Sequence, residues 1–168
     1  NHNARFTTQA AGEDAYIVFG FFGTCLARFD PASASGALTT AGVVDVGGLD
    51  YSPVAIGAEG VYVEIDGAIY AADAGLTRAA RRLLASDDAD FHLVAATEGG
   101  LLVVRTDQVG TPDSWLELVD PADGSTTWSV ELGQSQLLAA IDSFSLDDGA
   151  SYVDVIPSAP GQVLLLTY

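Results

Sequence analysis

Few residues in this sequence could do strong chemistry, and they are widely spaced. The only histidines are His2, close to the N-terminus, and His92. A catalytic histidine needs a nucleophile or carboxylate held against it. Carboxylates that could serve His92 are Asp90 and Glu98, and no Gly-x-Ser-x-Gly nucleophile turn occurs. A structural histidine is therefore the expectation for His92. Three carboxylates crowd one short stretch, Asp87, Asp88 and Asp90, and these form the candidate calcium site, because calcium takes several oxygen ligands from a loop. Asp120 with Asp123, and Asp147 with Asp148, are lesser clusters. None has EF-hand spacing, so solvated turn aspartates are the competing reading. Gly47-Gly48 and Gly99-Gly100 read as turns between strands rather than phosphate cradles. No catalytic residue and no cofactor beyond possible calcium is expected. Cys25, the single cysteine, reads as a small buried hydrophobe or as half of a disulfide with another chain. Tyr16, Phe19, Phe21 and Phe22 read as a strand buried on both faces, or else as an exposed recognition patch.

The elements that would position these residues are strands. The chain has 168 residues, 49% of them hydrophobic, with 18 Gly and short runs rich in Val, Thr, Tyr and Phe. That is enough for one domain with its own core, and it favours strands and tight turns over helices. There are 23 acidic residues, 17 of them Asp, against six Arg and no Lys, giving a net charge of −17. Such a field repels nucleic acid phosphates and anionic lipid, which sets both aside as partners. A GC-rich coding sequence and adaptation to a saline medium both account for the acidity. No apolar run is long enough to span a membrane. The sequence contains no Met, from which a processed or truncated chain is expected.

A repeat organises the chain. The first unit reads Ala15-Tyr-Ile-Val-Phe-Gly20, Cys25-Leu-Ala-Arg-Phe-Asp30, then Gly36. The second reads Val61-Tyr-Val-Glu-Ile-Asp-Gly67, Ile69-Tyr-Ala-Ala-Asp73, then Gly75. The third reads Leu101-Leu-Val-Val-Arg105, Trp115-Leu-Glu-Leu-Val-Asp120, then Gly124. The three Asp are 43 and 47 residues apart. A further strand precedes each pair of runs (5–10, 53–58, 92–97), and an outer one follows (38–46, 79–85, 126–132). The stretch around Arg78, Arg81 and Arg82 tempts a helix but fits the turn and outer strand of the second unit. Four strands in about 44 residues is the blade of a β-propeller. The expectation is an all-β chain of about four propeller-type blades at 4–48, 50–88, 90–134 and 136–168, forming one partial domain. In the last blade 137–144 is the innermost strand, 151–156 and 162–168 follow, and the outer strand is lacking. A larger propeller, or a partner chain, would then complete the open edge.

The third unit carries a more specific pattern, Asp120-Pro-Ala-Asp-Gly124-Ser-Thr-Thr-Trp128. This resembles the blade signature of PQQ-like (quinoprotein-type) β-propeller repeats, with Gly four residues after Asp and Trp four after that. The resemblance implies a propeller in which Asp and Gly shape a turn and Trp128 packs between blades; it implies no cofactor. The other two units keep the rhythm but lack the Trp. By this reading the chain is a non-catalytic scaffold outside the cytoplasm (secreted, at the cell surface or periplasmic) that binds protein or glycan, assembles on a surface, or forms homo-oligomers. The alternative is a piece of a propeller enzyme, with His92, Asp90 or Glu98 sharing a site with residues from other blades.

Overall fold

A computed structural model describes residues 6–11, 14–20, 24–29, 38–39, 53–110, 113–137, 151–159 and 162–167, with side chains described for 26, 28, 53–110 and 113–134. Every regular element among them is a β-strand. No helix among the described residues is long and apolar enough to cross a membrane. His2, Asp30, Gly36, Gly47-Gly48, Phe21, Phe22, Asp147 and Asp148 lie outside the described residues, as do the side chains of Tyr16, Phe19 and Cys25.

Three four-stranded antiparallel meanders follow one another. The first comprises β1 (Phe6–Ala11), β2 (Asp14–Gly20), β3 (Thr24–Phe29) and β4 (Leu38–Thr39). The second comprises β5 (Val54–Gly57), β6 (Gly60–Ile65), β7 (Ala68–Ala72) and β8 (Arg81–Leu84). The third comprises β9 (Ala89–Thr97), β10 (Gly100–Asp107), β11 (Ser114–Val119) and β12 (Thr126–Gly133). Each strand pairs with its chain neighbours, as the repeat rhythm requires. The arginine-rich stretch does form a turn and then strand β8.

Side-chain alternation explains how the sheets stack. In β6, Val61, Val63 and Ile65 point to one face and Tyr62 and Glu64 to the other. The first set packs with Ala72, Leu76 and Leu26, a residue of the first sheet. Tyr62 joins Ala55, Ile69 and Leu84 against Phe91, Leu93, Leu101, Val103 and Val119 of the third sheet. The second sheet is thus buried on both faces. Its odd-numbered β6 residues face back along the chain, and so do Leu101 and Val103 of β10. The opposite face of the third sheet carries Leu102, Val104 and Leu116, with Val94 and Leu132 packed on them. The first strands gather, β1 against β5 and β5 against β9.

A glycine makes the repeat concrete. Gly100 opens β10 at φ 138°, and a Cβ there would collide with the carbonyl of Val119, the last residue of β11. Gly60 opens β6 and sits in the same way over the carbonyl of Ala72, the last residue of β7. Both units need a residue without a side chain at this point.

Two findings differ from expectation. Trp128 is 47% exposed, beside Val130 at 41%, on the onward face of the edge strand β12, where no described side chain covers it fully. The fourth unit does not begin as an antiparallel meander. β13 (Ser135–Leu137) pairs in parallel with β14 (Ser151–Ala159), which then pairs antiparallel with β15 (Gln162–Thr167). A parallel pair needs a crossover rather than a hairpin. Of the expected inner strand 137–144 only Leu137 is described, in β13, and the rest lies outside the described residues.

Candidate functional site

In an up-and-down meander, alternate turns fall at opposite ends of the sheet. The turns after β5, β7, β9 and β11 share one end. Those after β6 and β10 share the other, along with the β8–β9 link. This divides the candidate residues into two groups.

At the second end the described groups are tied into structure. Asp66 (φ 48°) and Gly67 (φ 68°) make the two-residue β6–β7 turn. The Gly67 carbonyl accepts from the Phe91 N–H at 2.8 Å. Two residues on, Leu93 N–H donates to Glu64 Oε2 at 2.6 Å, while Glu64 Oε1 lies 3.0 Å from His92 Nδ1. The free edge of β9 is thereby covered by the preceding sheet. His92 and Glu64 are both largely buried, with side chains 18% and 13% exposed. Asp87 and Asp88 are exposed, and Asp90 accepts a hydrogen bond from the Gln108 side chain. Among the described residues no three His, Cys, Asp or Glu side chains gather as a metal-holding group. Glu98 follows the far end of β9, so it cannot share one site with Asp90 and His92. Within the third sheet, Arg105 lies 4.0 Å over the Trp115 ring and bonds buried Glu117 through Nε at 3.2 Å. Its other partner is Asp107. That cluster fills its own needs.

The first end is different. Here the second and third sheets diverge into two adjoining hollows of about 260 and 230 Å³. Glu59, Tyr62 and Pro121 line both, Arg78 and Arg81 line the larger, and Glu98 lines the smaller. The turn that carries Pro121 is fixed by its own residues. Asp120 Oδ1 accepts from Ala122 N–H at 2.8 Å, and Gly124 (φ 82°) donates to the Asp120 carbonyl at 2.8 Å. Asp and Gly therefore shape the turn as their spacing suggests. Arg81 latches this turn to the second sheet by donating from Nη2 to the carbonyls of Pro121 at 2.6 Å and Ala122 at 2.9 Å. In the β7–β8 turn, Asp73 accepts from Thr77 N–H and Oγ–H and from Arg78 N–H. These bonds, the Thr77 amide first, hold its carboxyl below the usual carboxylate range. Arg78 forms a loose, exposed ion pair with Asp73, its side chain 84% exposed and its Nε 3.8 Å from the carboxylate.

Tyr62 stands where the two hollows meet. It is 3% exposed, and its hydroxyl has no hydrogen-bond partner among the described residues. Burial first, then the nearby charge of Glu59, pushes its phenol above the ordinary tyrosine value, while Arg81 pulls the other way. The hydroxyl is consequently a standing donor at neutral pH. Tyr62, Glu59 and the latch role of Arg81 escape a motif search, since no motif holds them. The one usable signal is that Arg78, Arg81 and Arg82 are half of the six basic residues in a Lys-free chain.

The described residues are all-β, with consecutive four-stranded antiparallel sheets and a polar cleft of mixed charge between the second and third of them. No family model matches the chain, and no curated protein or solved structure matches it either.

Proposed function

We propose that the chain is a β-propeller-type binding scaffold acting outside the cytoplasm, with protein or glycan as its partner. The observation that carries this reading is the common sense of stacking. The second and third sheets each turn the corresponding face back toward the sheet before, and β1, β5 and β9 lie side by side. Repetition of one such step around an axis generates a ring with the first strands inside. The Asp120–Gly124 turn supports the likeness to PQQ-like repeats, and on that reading exposed Trp128 and Val130 await a following blade. A scaffold role, rather than catalysis, is favoured because His92 and Glu64 serve a strand edge and Arg105 serves Glu117. The acidic surface suits a soluble, saline or surface setting.

The test is partner capture by the native full-length protein, read on a glycan array and by analytical ultracentrifugation. The reading expects saturable capture of a glycan or protein, or a defined assembly. An inert monomer that captures nothing contradicts it.

A further inference from the structure

The cleft at the first end combines four properties that point to one kind of ligand. It contains Tyr62, a residue 3% exposed whose hydroxyl makes no hydrogen bond among the described residues. It has two guanidinium groups, Arg78 and Arg81, in a chain of net charge −17. Arg81 is oriented by the two carbonyls its Nη2 holds, so its remaining N–H groups are presented in a fixed plane. Glu59 lines both hollows and makes no hydrogen bond among the described residues, which leaves an acceptor facing the same space. Asp73, by contrast, is spent on its own turn.

Donors of this kind match a planar carboxylate. The acceptor on Glu59 matches a hydroxyl group of the same ligand. A dianion fits less well, because Glu59 and Asp73 would oppose its second charge. Each hollow, at about 260 and 230 Å³, is smaller than a drug-sized ligand pocket of roughly 300–1,000 Å³, which suits a ligand of monosaccharide size. We infer that this cleft binds a sugar acid, a small monocarboxylate carrying hydroxyl groups, with Tyr62, Arg78 and Arg81 on the carboxylate and Glu59 on a hydroxyl. This deepens the glycan-binding reading above and rests on it.

The experiment titrates the full-length protein with sodium glucuronate, glucose and inorganic phosphate, followed by calorimetry and by amide chemical shifts. Glucuronate should bind saturably, with glucose and phosphate at least about tenfold weaker, the loss expected when a charged contact is missing or a like charge is added. Tyr62→Phe should weaken glucuronate by about three- to tenfold, the loss of one hydrogen bond. Arg78→Ala, at an exposed site, should weaken it by about threefold while leaving the amide spectrum of the free protein folded. Absence of saturable glucuronate binding, binding unchanged in folded Tyr62→Phe, or phosphate bound as well as glucuronate would each overturn the inference. Capture of a polymeric glycan or a protein without glucuronate binding sinks this inference alone and leaves the scaffold reading standing.

Discussion

Both carboxylate oxygens of Glu64 are committed to β9, one to His92 Nδ1 and one to the Leu93 N–H. Glu64→Ala therefore strands a backbone donor and a ring nitrogen at a largely buried edge. It should cost about 2 kcal/mol, the range for an unsatisfied buried group, seen as a lower urea midpoint at unchanged slope; an unchanged midpoint would remove the clamp from the account. The aspartates offer a second residue-scale prediction. Asp73 and Asp123 are both held below the usual carboxylate range, Asp73 mainly by the Thr77 amide and Asp123 mainly by the Ser125 amide. A carboxyl with a depressed folded value contributes stability above its unfolded value and loses it as pH falls through the folded one. In a carbon-detected NMR titration both carboxyls should therefore protonate at lower pH than a free aspartate, and the turn contacts should disappear over that interval.

At the scale of elements, the Gly100 site is the sharpest test of the repeated hairpin. Gly100→Ala must adopt an unfavourable positive φ and move the Val119 carbonyl, so it should destabilise by at least about 1–3 kcal/mol; thermal melting will read it. The strands themselves were legible in the sequence because both faces are buried. Val61, Val63 and Ile65 announce β6, and Leu101 to Val104 announce β10. The Arg81–Leu84 strand was legible only through the repeat, since its own composition suits a helix. The Asp120–Gly124 turn was legible because turn chemistry is local. The exposure of Trp128 was not, because whether a side chain on an edge strand is covered depends on what lies beyond it. Neither was the parallel β13–β14 pairing, which strand propensity does not encode.

Across the whole molecule, what could not be read was proximity between sheets. Glu64 to His92 spans 28 positions, and Arg81 to Pro121 spans 40. The first ties the sheets at one end and the second borders the cleft around Tyr62 at the other, and no spacing rule along the chain announces either. The rhythm of the repeat did announce that such sheets would be neighbours. On the proposed reading they are neighbours in one repeated sense, the step that would build a propeller. A crystal structure of the full-length protein tests this most directly. The account predicts that one rotation carries the β5–β8 sheet onto the β9–β12 sheet and the β1–β4 sheet onto β5–β8, with first strands nearest a common axis and Tyr62 between the second and third sheets. Sheets packed as a closed two-layer sandwich, or related by different rotations, would contradict it.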